Sequence, residues 1–381
     1  MHVAVNAFYW NRPDTGSGQY VHQLVRHLPH ADPDLRLTMV VPAQITPHEP
    51  LPSGYRWHVA QAPVGHLGKL YFEQVLFPRA CLSVRADLAH VPYWGSPLQS
   101  RIPVVVTVHD LIAMLLREYR GSPLARLYTG LVATAARGAS QVITDSNASR
   151  SDIVAHLHIP AARVHTIYLA VEERFCPGPP SQAVVTKYRL PSSFVLYLGG
   201  YDRRKNVDGL VRAYGYVGPA IGNEFPLVLA GRLPQRATSR FPDLKRLIHE
   251  LELEPFVHCI GFVEEEDKPD LYRSAAVAVQ PSRYEGFGLT ALEAMACGTP
   301  VVVSNSSSLP EVVGPAGFTV DPDDTRGIAA AIIACATQPA LSMDLGRKGL
   351  HQAALFSGER FAHQTHTVYR QAMACHTNPA Q

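Results

Sequence analysis

Residues 281–303 read PSRYEGFGLTALEAMACGTPVVV. Two glutamates, Glu285 and Glu293, flank a Gly-Phe-Gly turn that runs into an apolar stretch with helical spacing. Ala276 to Gln280 reads as a strand, Pro281 to Phe287 as a loop, and Gly288 to Cys297 as a short helix. Gly298 then falls at the left-handed position after a helix, with Pro300 just beyond it, where neither continues the helix. Gly286 and Gly288 remove side chains where the helix begins. A ligand can therefore approach backbone N–H groups at the positive end of the helix dipole, which makes the turn a cradle for a phosphate. A carboxylate repels phosphate, so Glu285 and Glu293 are expected to face hydroxyls, as on sugar rings, and accept charge-assisted hydrogen bonds from them. Glu293 could reach a ribose and Glu285 a second sugar. A plainer reading stays open here: Glu285 caps the helix and Glu293 is an exposed helical residue.

The same strand–loop–helix pattern recurs on both sides of this stretch. Candidate strands are Val3 to Ala7, Leu37 to Val41, Val104 to Val108 and Gln141 to Thr144. A second set is Phe194 to Leu198, Leu227 to Ala230, Val257 to Cys259, Ala276 to Gln280 and Val301 to Val303. Most are continuously apolar, as strands covered by helices on both faces of a parallel sheet must be. Two such sets predict two doubly wound α/β halves, and 381 residues exceed what one core usually holds. Between the sets lies EERFCPGPPSQAVVTKYRLP, residues 172–191, proline-rich and weakly periodic. It reads as a linker with a short lead-in helix. The tail from Ser357 to Cys375 reads as a helix with Phe361, Val368 and Met373 among its apolar positions.

Composition narrows the function. Hydrophobic residues make up 46% and charged residues 17%, an ordinary globular balance that argues against disorder. A formal net charge of +2 implies no strong attraction to nucleic acid, whose polyanionic backbone usually calls for a concentrated basic face. No apolar run reaches the length of about 18 residues that a membrane span needs. The start, MHVAVNAFYW, reads as a strand rather than a secretion signal. Six scattered cysteines without a CxxC pair predict buried, reduced thiols and a cytoplasmic setting.

Three further motifs carry chemistry. LYLGGYDRRKNVDGL, residues 196–210, ends a strand in Gly199-Gly200 and then places Arg203, Arg204 and Lys205 before a helix. Cations at the C-terminal end of a parallel strand sit where open α/β sheets bind ligands, and they would offset charge on a phosphate leaving group. The alternative is a solvated basic loop. RPDTGSGQY, residues 12–20, lets backbone at Gly16, Ser17 and Gly18 approach a ligand. It is a poor dinucleotide fingerprint, because Val21 stands where the third glycine belongs. VVVTVHDLI, residues 104–112, puts His109 at a strand end, where it could hydrogen-bond a sugar or phosphate or simply hold the corner. The other histidines have no metal-binding spacing, and no GxSxG or P-loop is present.

Together these motifs resemble the retaining glycosyltransferases of family 4. The resemblance lies in Glu285-x7-Glu293, the Arg204 to Asn206 RKN, the GSG loop, the His-Asp pair and SLPEVVGPAGFTVDPDD at 308–324. It covers nearly the whole chain. It implies a GT-B fold: two Rossmann-like doubly wound domains facing a deep cleft, with a last helix that crosses back to the first domain. The implied domains are 1–175 plus 358–381, which would take the acceptor, and 176–357, which would take the donor. By motif, Arg204 and Lys205 would hold the donor diphosphate, Glu293 the ribose, and Glu285 with the backbone of Phe287, Gly288 and Leu289 the transferred sugar. His109 would lie near the reacting centre, Gly16 to Gly18 near the diphosphate and acceptor, Gly200 among the donor-binding residues, and Phe262 and Val263 near the base. The implied reaction transfers a hexose, mannose in preference, from GDP-mannose or a UDP-hexose to a glycan or lipid-linked acceptor in polysaccharide or cell-envelope synthesis. No cofactor and no essential metal are implied. A nucleotide-sugar epimerase or hydrolase, or a non-catalytic carbohydrate-binding protein, are the alternatives on this fold. The arginines in 114–139 could meet a lipid-linked acceptor at the inner membrane face, or form a solvated helix face. Two departures stand out. Many relatives have Gly-Arg where Gly199-Gly200 stands, and often Phe-Ser-Trp where this chain has Phe356-Ser357-Gly358.

Overall fold

The computed structural model describes residues 1–13, 15–45, 51–234 and 236–377. The chain forms two compact units, Met1–Ala170 with Ser357–Gln381, and Val171–Phe356. Each is built on its own parallel sheet.

The first unit has seven strands: β1 His2–Asn6, β2 Arg36–Pro42, β3 Tyr55–Ala60, β4 Leu88–Val91, β5 Val104–Thr107, β6 Gln141–Thr144 and β7 Val164–Thr166. Their order is β3-β2-β1-β4-β5-β6-β7 and every pairing is parallel. β1 pairs on both sides, Val3 lying opposite Leu37 on β2 and Leu88 on β4. The second unit has six: β8 Val195–Leu198, β9 Leu227–Ala230, β10 Val257–Gly261, β11 Val277–Gln280, β12 Val301–Ser304 and β13 Gly317–Val320, in the order β10-β9-β8-β11-β12-β13. Again all pairings are parallel.

The apolar runs therefore became doubly covered strands: β4, β5, β6, β9, β11 and β12 are buried at every residue. The sequence reading missed β3, β4, β7 and β13. β3 and β7 are edge strands of the first sheet and β13 of the second, so they need not be apolar on both faces. β4 is central but only four residues long. Each sheet has one switch point, where the chain reverses its direction of strand addition. It lies between β1 and β4 in the first unit and between β8 and β11 in the second. The loops at the C-terminal ends of those strands are where such folds bind ligands.

The tail forms the helix Gly358–Thr377, which packs on the helix Gly16–Ala31 of the first unit. Phe361 is fully buried, edge-on to Tyr20 at 5.5 Å between ring centroids, and Tyr369 is fully buried against His90. Gly358 has a steric reason. A Cβ there would lie 2.2 Å from the His27 ring, so the tryptophan that the family resemblance leads one to expect has no room. Of the six thiols, all free, only Cys81, Cys297 and Cys335 are buried; Cys176, Cys259 and Cys375 are exposed, against expectation. Among the described residues, no single helix is long and apolar enough to cross a membrane.

Candidate functional site

In the second unit, the loops after β8 and β11 meet at the switch point. The β8 loop passes through Gly199 and Gly200 into a short turn, Arg203–Lys205, and then Asn206. Asn206 takes a left-handed φ of 55° and is fully buried. Its side-chain amide donates to the Pro281 and Pro322 carbonyls at 3.0 and 2.6 Å, which fastens the basic turn to the loops after β11 and β13. The Arg283 N–H donates to the Arg204 carbonyl at 2.7 Å and closes the same junction.

This junction brings three of the expected residues into contact. Arg204 Nη1 lies 2.7 Å from Glu285 Oε2 and 3.0 Å from the Tyr284 carbonyl. Lys205 Nζ lies 2.7 Å from Glu285 Oε1. Gln280 Nε2 and the Ser282 hydroxyl donate to that same oxygen at 3.0 and 2.6 Å. Burial works to raise the Glu285 pKa, but Lys205 and Arg204 outweigh it and bring it down to about 2. Asp202 adds a second carboxylate, 3.4 Å from Arg204 Nε. The two cations and two carboxylates cancel in formal charge. Neither plain reading survives for these residues: Arg204 and Lys205 are largely withdrawn from solvent, at 15% and 17% exposure, and Glu285 caps no helix. Its four donors also leave little capacity for a sugar hydroxyl, because a carboxylate accepts about four hydrogen bonds in all. Arg203, by contrast, turns away and donates to the Ser239 carbonyl at 2.8 Å.

The helix beyond is Leu289–Ala296, one residue shorter at each end than read from sequence. Gly288 is its N-cap, at φ 115°, and offers no side chain to the first N–H groups. Only glycine fits, since a Cβ would lie 2.7 Å from Leu309 Cδ2. The Ser308 hydroxyl bonds the Glu285 and Phe287 carbonyls at 3.0 and 2.6 Å and sets the shape of the turn. Phe287 is buried edge-on to Phe356.

Glu293 is 3% exposed, not the surface residue of the plain reading. It joins none of the groups around Glu285. The Tyr272 hydroxyl donates to its Oε2 at 2.8 Å. Burial pushes its pKa up to about 7, although Lys268 and the Tyr272 bond pull the other way. One glutamate of the pair is thus held ionised and the other titrates near neutrality. Phe262 and Val263 follow β10 at the far edge of the sheet. Phe262 carries the Arg232 guanidinium 4.4 Å over its ring. Gly200 is exposed and accepts a hydrogen bond from the buried Tyr197 hydroxyl.

In the first unit, Gly16–Ala31 starts at the expected GSG, capped by Thr15, whose side chain accepts from the Gly18 N–H at 3.2 Å. The two glycines differ. A Cβ on Gly18 would lie 1.9 Å from the Arg12 carbonyl oxygen, so packing alone demands it, whereas nothing lies within 4 Å of one on Gly16. Gly16 is the position with open space for a ligand, and Ser17 follows it half-buried. His109 follows β5, with Nδ1 2.6 Å from Asp145 Oδ2 and Nε2 3.1 Å from the Pro92 carbonyl. Two acceptors on two ring nitrogens are satisfied together only by the imidazolium. Burial would lower the His109 pKa, but the Asp145 charge and hydrogen bond outweigh it and raise it. Sequence reasoning missed Asp145, although an acid directly after the strand at 141–144 was the available signal. It also missed Asp202, Gln280, Ser282 and Tyr272.

Comparisons with known proteins give the family and the fold. Residues 15–175 match the family model "Glycosyltransferase Family 4", and residues 185–352 match "Glycosyl transferases group 1". The O-antigen chain mannosyltransferase B of Escherichia coli is 36% identical over 269 residues, 70% of each chain. The chain belongs to glycosyltransferase family 4. A second Escherichia coli relative, the serotype-specific mannosyltransferase WbdA, is 33% identical over 68% of this glycosyltransferase, which spans only 32% of WbdA. Among solved structures, the sucrose-phosphate synthase of Thermosynechococcus elongatus superposes with a TM-score of 0.77 at 25% identity, covering 98% of this chain and 100% of that one. The fold is GT-B, and the chain is a glycosyltransferase.

Proposed function

We propose that this glycosyltransferase moves a hexose, mannose in preference, from a nucleoside diphosphate sugar to a hydroxyl of a growing glycan or lipid-linked acceptor in polysaccharide assembly. The observation that carries the reading is the convergence of Arg204, Lys205 and Glu285 at the second unit's switch point, beside the glycine-capped helix. The preference for mannose rests on the two mannosyltransferase relatives.

In this reading Lys205, Arg204 and the N–H groups from Leu289 onward meet the diphosphate and stabilise it as it leaves. Glu285 positions both cations before the donor arrives. A carboxyl with a pKa of about 2 is a weak base and a weak nucleophile. Retention at the anomeric carbon is then better served by same-face attack, with the leaving phosphate oxygen taking the acceptor's proton, than by a glycosyl-enzyme formed on Glu285. Glu293 takes the ribose hydroxyls, and Phe262 with Val263 lie against the base. No essential metal is invoked. Contact with a membrane surface would fall on Leu124 and Leu127, 78% and 71% exposed beside Arg126. Vesicles containing anionic lipid should then sediment the native chain but not a Leu124→Ser, Leu127→Ser variant.

The test is product analysis. The chain is incubated with GDP-mannose, and separately UDP-glucose, with an α-linked manno-oligosaccharide, and the first-formed anomer is read by proton NMR. The expected result is an α-linked, one-residue-longer product from GDP-mannose. Release of free hexose alone, a β-linked product, or no turnover of either donor would refute it.

A further inference from the structure

The first unit's own switch point, at the C-terminal ends of β1 and β4, carries a cluster that the leaving-group chemistry above does not use. Phe8 and Tyr9 follow β1, and Tyr93, Trp94 and Gly95 follow β4. Lys69 lies in the helix His66–Tyr71, and Glu73 in the π-helical turn Phe72–Leu76 that continues it. Such widened turns recur at functional sites.

The Lys69 ammonium sits among four rings, 5.5 Å from the centroid of Phe8, 5.2 Å from Tyr9, 5.3 Å from Tyr93 and 5.3 Å from Tyr128. It donates to the Tyr9 hydroxyl at 3.0 Å and lies 3.6 Å from Glu73 Oε1. The Glu73 side chain is fully buried, and the Tyr128 hydroxyl bonds both its oxygens at 2.9 and 3.1 Å. Gly95 is required here, since a Cβ would lie 2.4 Å from the Tyr93 ring and 2.6 Å from Glu73 Oε1. The buried Tyr93 hydroxyl faces the Glu73 charge but makes no well-formed hydrogen bond, and the buried Trp94 Nε1 has no acceptor.

A carboxylate buried for packing needs a cation, and Lys69 supplies one. Packing does not explain an ammonium left 22% exposed among four rings, nor two buried donors without well-placed acceptors at a switch point. Aromatic faces and edges suit the C–H surface of a pyranose, and unused donors suit its hydroxyl oxygens. An anion finds no net charge here, because Glu73 already offsets Lys69.

We propose that Tyr9, Lys69, Tyr93 and Trp94 form the acceptor subsite, and that it takes an uncharged pyranose at a glycan end rather than a phosphorylated sugar. The proposal rests on the transfer reading above and names its acceptor class.

The test uses the full chain with methyl α-mannoside and α-linked mannobiose as neutral probes and mannose 6-phosphate as the anionic one. Saturation-transfer NMR without donor measures binding directly, and steady-state assays give separate KM values for acceptor and donor. Mannobiose should bind the native chain and mannose 6-phosphate should not compete with it. Tyr9→Ala should raise the acceptor KM about tenfold or more with the donor KM unchanged. Tyr93→Phe breaks no well-formed hydrogen bond within the protein, so it should keep the native Tm while raising the acceptor KM several-fold. Unchanged acceptor KM in both variants, or competition by mannose 6-phosphate, would overturn the proposal. If no nucleotide sugar turns over at all, the transfer reading fails, and the donor-free NMR measurement still decides the subsite.

Discussion

Replacing Glu293 with glutamine should make the protein more stable at alkaline pH and a poorer binder of donor. Glu293 titrates at about 7 in the fold against an ordinary 4.5. For an acid raised in this way, the stabilisation is fully present below the unfolded value and is lost as pH rises through the folded one. The gap of roughly 2.5 pH units, at about 1.4 kcal/mol each, is about 3 kcal/mol in full. About 2 kcal/mol of that falls between pH 5.5 and 8. The Glu293→Gln side chain would keep an amide oxygen for the Tyr272 hydroxyl and would not titrate. The assay is thermal unfolding of both proteins at pH 5.5 and 8. A loss of 2 kcal/mol corresponds to about 4–8 °C for a unit of this size, so the variant should gain that much on the native protein across the interval. A Tm difference that does not change with pH, or that favours the native protein at pH 8, would refute the reasoning. Donor affinity should move the other way. The native protein should bind GDP-mannose more tightly as pH rises through 7 and the carboxylate becomes the stronger acceptor, while the variant binds weakly at every pH.

Other outcomes follow from single contacts. Gly18→Ala should unfold or strongly destabilise the first unit, because the new methyl meets the Arg12 carbonyl. Gly16→Ala should keep the native Tm and, if a ligand uses that space, raise a substrate KM. Asp145→Asn should drop the His109 titration below its raised value, read by NMR. The stability that His109 contributes below pH 6.5, lost as pH rises through its folded pKa, should shrink with it. Dialysis against EDTA should leave transfer within about twofold of the untreated enzyme; a large loss restored by a divalent ion would end the metal-free mechanism.

What was legible from the sequence follows a physical line. Continuously apolar strands betray themselves, so the two doubly wound sheets could be read; β3, with only Ala60 buried, and the three-residue β7 could not. The Glu-x7-Glu spacing, the basic turn and the His-Asp corner were visible because each is local. Their environments were not. Glu285 is depressed by residues 80 positions earlier in the chain, and Glu293 is buried against a tyrosine 21 positions away. Lys69 and Glu73 show the same limit more sharply. Four residues apart on a helix, they read as an ordinary surface ion pair worth a few tenths of a kcal/mol. Only the fold brings Phe8, Tyr9, Tyr93 and Tyr128 around them.

The central claim is that the loops after β8 and β11 hold the donor diphosphate through Arg204 and Lys205. Calorimetric titration of GDP into Lys205→Met tests it most directly, with the Tm checked in parallel. The account predicts binding weaker by about tenfold or more, the loss of one charge-assisted contact, in a protein whose first unit still melts as in the native chain. A native Kd for GDP together with a native kcat would contradict it.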